Sequence, residues 1–338
     1  MAAHDLDALI VVSPENVFYL TRIRLLVQRL VPDRRSFVIL TADGGSTLIT
    51  VASDVDHARR DASVDQVVGY GHVDSPAAVL AQTLSNNGLA KARIGIESDF
   101  IPAADLWVLA DQLPGVHIVG GDTVMRLARM SKTASEIDIL RRAEYSTELA
   151  VMAAFAMSFE GQREVDLARQ IHKNLLDHGA EAVDFVLLSA GLNSTVYHLP
   201  PTDYPVARGD VIHLDCGGSF DNYRSDLSRN VGVGHLTEKQ YDIYARLWDV
   251  QRGLVAFMAP GLTVRQLVEK YVDLMGNARL EPPSPYLGHG VGLSSHEFPE
   301  LSLECDVELV PGMVLAIEPT TFIAGDARYD VEDTVAIT

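Results

Sequence analysis

Two apolar, strand-like runs in this chain end on a carboxylate: "GDVIHLD", from Gly209 to Asp215, and "GMVLAIE", from Gly312 to Glu318. Each takes six steps from glycine to acid. Each is followed by another strand-like run with a carboxylate of its own, Asp226 in "YRSDLSRNVGV" and Glu332 in "YDVEDTVAIT". Burying an unpaired carboxylate in an apolar sheet is strongly unfavourable, or forces the group to take up a proton. Four of them at matched positions require a shared partner, which constrains the fold more than any other feature of the sequence.

The match extends upstream. Helical segments in "AVMAAFAMSFEGQREVDLARQIHKNLLDHG" recur in "GLVAFMAPGLTVRQLVEKYVDLMG", broken at Gly161 and Gly261. Loops rich in glycine, serine and histidine follow: "SAGLNSTVYHLPP" reaches His198, and "LGHGVGLSSHEFPE" carries His289 and His296. The pattern reads as a duplicated α/β half. A pseudo-two-fold between the halves brings the four carboxylates toward one point.

Like charges in contact raise one another's pKa, so the four cannot all stay ionised without cations. A pair of divalent ions about 3.5–4 Å apart, as in two-metal hydrolytic sites, resolves this. His289 is the imidazole candidate. Its flanking glycines are expected to let the backbone approach a metal or substrate. Oxygen-rich ligation with one imidazole suits manganese, cobalt or iron better than a structural zinc site.

The first part of the chain alternates short apolar runs ("ALIVV", "SFVIL", "STLIT", "QVVGY", "RIGIE", "HIVGG") with helical segments such as "SPAAVLAQTLSNNGL". It reads as an α/β domain with partly parallel pairing and no site chemistry of its own. Long amphipathic helices then begin, with Thr133 or Ser135 as the N-cap. The boundary falls near residue 128, giving domains 1–127 and 128–338.

Composition excludes some functions. The formal net charge of −19 argues against a nucleic-acid or anionic-membrane surface, which needs clustered Lys and Arg. No apolar run is long enough to cross a bilayer. Two cysteines, Cys216 and Cys305, make no disulfide framework and fit a reducing, cytoplasmic setting. The N-terminus lacks the basic start and cleavage site of a secretory signal. Alternation along the strand turns Cys216 away from Asp215.

At these residues the sequence resembles the pita-bread metallopeptidases, the M24 group of methionine aminopeptidase, aminopeptidase P and prolidase. The motifs "LDCGGSFDNYRSD", "GHGVGLSSHE", "AIEP" and "VEDTV" stand in the family's order, with its eleven-residue step from Asp215 to Asp226. The N-terminal domain resembles that of the Xaa-Pro dipeptidase, aminopeptidase P and creatinase branch.

The resemblance implies an N-terminal creatinase-like α/β domain and a pseudo-two-fold catalytic domain with a curved antiparallel sheet flanked by helices. It implies that Asp215 holds one metal, His289 and Glu318 the other, and that Asp226 and Glu332 touch both. His198 and His296 are implied to contact substrate or the tetrahedral intermediate, and Glu318 to shuttle a proton. The implied protein is a homodimer with two divalent ions, manganese first and cobalt, iron or zinc as alternatives. It hydrolyses the Xaa-Pro bond of dipeptides or short peptides by a metal-bridged hydroxide.

Three departures accompany the resemblance. Many prolidase-like sequences read R-x-E-D at the last ligand; here Asp330 takes the arginine's place and the nearest arginine is Arg328. This is expected to remove a partner for the carboxylates and to weaken proline-dipeptide specificity. "IEPG" reads "IEPT", so a differently shaped loop is expected after Glu318. The chain stops six residues past Glu332, where a further strand and tail are expected. Two rival readings therefore stand beside the peptidase: a hydrolase of C–N bonds in small amides or amidines, and a non-catalytic peptide-binding protein.

Overall fold

The computed structural model describes residues 1–338 apart from the side chain of residue 2. The chain forms two compact units, Met1–Ala128 and Arg129–Thr338.

The first unit contains β1 (Ala8–Val11), α1 (Pro14–Thr21), α2 (Leu26–Leu30), β2 (Phe37–Thr41), β3 (Ser46–Val51), α3 (Val55–Asp61), β4 (Gln66–Tyr70), α4 (Pro76–Asn86), β5 (Arg93–Ile96), α5 (Ala103–Gln112) and β6 (His117–Gly120). The strands form one mixed sheet in the order β4-β3-β2-β1-β5-β6. β3–β4, β1–β5 and β5–β6 pair in parallel, the others antiparallel. Both faces are covered. Ala8, Ile10, Phe37 and Ile39 pack into one core, while Leu9, Val11 and Val38 pack into the other. That is why these strands read as continuous apolar runs rather than alternating ones. Ser13 and Ser75 cap α1 and α4, each followed by a proline in the first turn, the arrangement favoured at helix starts.

Helix α6 (Asp122–Met130) carries the chain onward to α7 (Ala134–Phe155), α8 (Glu164–Asp177), β7 (Ala182–Ala190), β8 (Val211–Phe220), β9 (Tyr223–Arg224) and β10 (Leu227–Gly232). Then follow α9 (Glu238–Phe257), α10 (Val264–Asn277), β11 (Tyr286–Gly290), β12 (Glu297–Ser302), β13 (Val314–Ile317), β14 (Thr320–Phe322), β15 (Arg328–Asp330) and β16 (Asp333–Ala336). Each half repeats a helix pair followed by an antiparallel sheet. The sheets are β10-β8-β7, with β9 on β8, and β12-β11-β13-β16; β14 and β15 form a separate ribbon.

The repeat is visible in packing. Leu167, Ile171 and Leu175 on α8 and Leu267, Tyr271 and Met275 on α10 bury the same stripe, each against its own half's core. Their i, i+4, i+8 spacing follows the helical period, and each such fully buried side chain contributes about 1.5–3 kcal/mol. Gly161 and Gly261, at φ +81° and +91°, turn the chain just before α8 and α10, where left-handed backbone favours glycine. Thr133 caps α7 in a capping box with Glu136, and α9 and α10 open with boxes of the same kind from Thr237 and Thr263.

Candidate metal centre

β8 and β10 present the first pair of carboxylates. Asp215 stands mid-strand in β8, opposite Ser228. Alternation sends Leu214 and Cys216 into the core and leaves His213 and Asp215 on the other face. Asp226 lies just before β10; its N–H donates to Glu144 Oε1 of α7 at 3.0 Å, and its carbonyl accepts from the Thr334 hydroxyl at 3.2 Å.

The second half is similar but not identical. Glu318 follows the last residue of β13 and donates its N–H to the Leu287 carbonyl, so only here does the acid end the strand. Glu332 lies between β15 and β16, and its N–H donates to the Ser228 carbonyl of the first half at 3.2 Å. After Glu318 the "EPT" segment enters β14 directly, and the Thr320 hydroxyl donates back to the Glu318 carbonyl at 3.1 Å.

His289 is on β11, between β12 and β13. The flanking glycines are required by strand packing. A Cβ on Gly288 (φ +147°) would lie 2.1 Å from the Ala316 carbonyl oxygen, and one on Gly290 would lie 2.7 Å from that of Glu297. Both obstacles belong to the neighbouring strands and their connections.

Together these elements converge Asp215, Asp226, His289, Glu318 and Glu332. Donor atoms of His289, Glu318 and Glu332 lie within 4.8 Å of one another, as do those of Asp215, Asp226 and Glu332. Asp226, His289 and His296 form a third such group. His289 Nε2 is 3.6 Å from Glu318 Oε1 and 3.8 Å from Asp226 Oδ2. Its Nδ1 lies 3.1 Å from the Gly290 carbonyl, a bond that requires the proton on Nδ1 and leaves the Nε2 lone pair facing the carboxylates.

Electrostatics report the crowding. Burial, then the charge of Asp330, raises Asp215 to about 7 against an opposing pull from Arg328. Burial and the neighbouring acids push Asp226, Glu318 and Glu332 well above the usual carboxylate range. Burial, then the adjacent His296, lowers His289 to about 4. Asp215 Oδ1 and Asp226 Oδ2 are buried without a hydrogen-bond partner. Orphaned acceptors, unfavourable carboxylate charge and an aimed imidazole lone pair are what divalent cations relieve, so the donor set fits them.

His296 precedes β12, and its ring stacks on that of His289. His198 is exposed at φ +54° in the loop after β7; burial chiefly lowers His296, against a pull from Glu300, and neighbouring His198 adds the smallest share. His198 belongs to none of the three donor groups found among the described residues.

The sequence reading named Arg328 without placing it in the site, and passed over His213 and Glu144. Arg328 does meet the carboxylates, contrary to the expectation that a partner is lost. It is buried, pairs with Asp330, and its charge lowers both Asp215 and Glu318. Although burial raises the Asp330 carboxyl, Arg328 and then His213 outweigh it and hold the group below its ordinary value. His213, 3.5 Å from Asp330, was discoverable two residues before Asp215, on the same strand face. Glu144 bonds the Asp226 N–H and the Thr334 hydroxyl and is raised by burial to about 8; an acid on a helix gives no comparable signal in sequence.

Two antiparallel half-sheets around four carboxylates and a histidine define a divalent-metal hydrolase. The chain belongs to metallopeptidase family M24, whose model matches residues 138–338; the creatinase/prolidase N-terminal domain matches residues 1–131. Among its relatives, an Xaa-Pro dipeptidase from Pyrococcus horikoshii is 28% identical over 340 residues, covering 100% of this chain and 92% of the relative. An Xaa-Pro dipeptidase from Pyrococcus furiosus is 34% identical over 221 residues, 64% of this chain and 63% of the relative. The solved prolidase from Pyrococcus furiosus superposes with a TM-score of 0.86 at 27% identity, covering 100% of this chain and 95% of that one.

Proposed function

We propose that this metallopeptidase uses two divalent ions to cleave the Xaa-Pro bond of dipeptides or short peptides. The observation that carries the reading is a pair of donor triads, Asp215–Asp226–Glu332 and His289–Glu318–Glu332, that share Glu332. A shared carboxylate is the natural bridge between two cations. The relatives named as Xaa-Pro dipeptidases support the choice of bond.

In this reading Asp215, Asp226, His289, Glu318 and Glu332 hold the ions, manganese first by the oxygen-rich donor set. When bound, such ions polarise the scissile carbonyl and acidify water. Glu318, with 20% of its side chain open, accepts the proton of the attacking water and returns it to the leaving nitrogen. His198 and His296 donate hydrogen bonds to the substrate carbonyl as charge develops on its oxygen.

We further propose residues 1–127 and 128–338 as the functional domains, a homodimer, and a cytoplasmic setting, the last supported by two free cysteines. No helix is long and apolar enough to cross a membrane. Hydrolysis of Xaa-Pro di- and tripeptides that disappears with chelator and returns with manganese tests the reaction. Metal-loaded protein that ignores every such peptide but cleaves a small cyclic amide would select the C–N hydrolase instead. Sedimentation as a monomer would overturn the dimer.

A further inference from the structure

Arg328 and Asp330 stand on one face of β15, opposite Phe322 and Thr320 of β14. The Arg328 guanidinium donates to Asp330 Oδ2, while the Asp330 N–H donates to Asn230 Oδ1 at 2.6 Å. His213 Nε2 stands 3.5 Å from the same carboxylate oxygen. Above the guanidinium lie two aromatic rings, Tyr197 at 4.8 Å and Phe322 at 5.9 Å, which meet edge to face at 5.0 Å. Tyr197 is half-exposed and adjoins His198. Arg328 and Asp330 are buried.

The formal charges balance. Two divalent cations, when bound, would neutralise Asp215, Asp226, Glu318 and Glu332, and Asp330 pairs with Arg328. Other cations of this unit are committed too, Arg229 to Asp333 and both Arg129 and Lys132 to Glu297. A substrate carboxylate beside the scissile bond would have to compete with Asp330 for a buried guanidinium that is ion-paired to it through one nitrogen, with Arg328 Nε and Asp330 Oδ1 left without partners, and separating such a pair is costly. A neutral group meets no such competition and can pack beside half-exposed Tyr197.

We propose that Asp330 is a specificity-determining residue: by occupying Arg328 it turns the site against substrates whose leaving residue carries a free carboxylate and toward those where that carboxyl is amidated or extended. This rests on the Xaa-Pro reading above and deepens it. Specificity here is a difference between two affinities, built by withholding a partner from one of them.

The test compares Ala-Pro with Ala-Pro-amide and Ala-Pro-Ala on the manganese-loaded protein. The amide and tripeptide are expected to exceed the dipeptide in kcat/KM by about tenfold or more. Asp330→Asn, which frees Arg328, should narrow the gap chiefly by lowering KM for the dipeptide, with metal content verified. Arg328→Met should keep the preference for the amide. A wild-type protein that favours the free acid, a metal-replete D330N with an unchanged ratio, or a collapse of dipeptide turnover alone in R328M would each overturn the proposal. Turnover of none of the three peptides counts against the reaction itself. The discrimination is then read by calorimetry of Ala-Pro and Ala-Pro-amide binding to wild type and D330N, where amide-favoured binding supports it and equal, acid-favoured or undetectable binding overturns it.

Discussion

The imidazoles of His289 and His296 stack with centroids 3.4 Å apart and planes 20° from parallel. Two rings so placed cannot both carry a proton cheaply; burial lowers both, and lowers His289 to about 4, which keeps it neutral. In the metal-free protein its ring nitrogens should therefore show no titration between about pH 5 and 8 in nitrogen-detected NMR. His296→Ala should move the His289 titration upward. A midpoint near the ordinary histidine value in the wild type would contradict the stack's role.

Glu318 and Glu332 should separate under mutation. Glu318→Gln keeps shape but not basicity and is expected to lower kcat by about a hundred- to ten-thousandfold. Glu332→Ala removes the side chain common to both triads and should reduce bound metal to about one equivalent or less. Elemental analysis beside steady-state rates checks both, and full metal retention by the Glu332 variant would exclude a bridging role.

Stability should depend on pH with a defined sign. Asp215 and Glu144, at about 7 and about 8 when folded, titrate near 4 in an unfolded chain. These two acids then hold more protons in the native state, so their contribution to metal-free stability falls as pH rises from about 4 to about 8, opposed below about 6.5 by His289, which is lowered to about 4. Thermal melts with chelator should fall across this range. Added manganese, which competes with those protons, should reverse the slope, and Glu144→Gln should flatten its alkaline end.

Gly288 is under a steric constraint independent of chemistry. With the Ala316 carbonyl oxygen 2.1 Å from any added Cβ, Gly288→Ala must separate β11 from β13. A loss of about 2 kcal/mol or more is expected in denaturant melts, with metal affinity falling because His289 rides on β11. A variant as stable as the wild type would show that the strands can move apart at little cost.

Asp215 and Glu318 were legible from a strand running from glycine to acid, Asp226 and Glu332 from the repeat of the halves, and His289 from its flanking glycines, while the family resemblance implied that the five act as one set. The N-terminal strands were legible from uninterrupted apolar runs, which burial of both sheet faces produces. Neighbours drawn from other elements were not. Asp330 read as a missing arginine, and Glu144 carried no pattern that marks it.

What the sequence alone determined is which donors this protein can offer a metal, since strand period and spacing fix which side chains share a face. Only the tertiary structure decided what surrounds them: Arg328 paired with Asp330, His213 beside that same carboxylate, Glu144 on the Asp226 backbone, and glycines placed for neighbouring strands. The reason is physical. Charge balance and steric contact depend on distances between segments far apart in the chain, and those distances exist only after the two halves fold and their sheets pair.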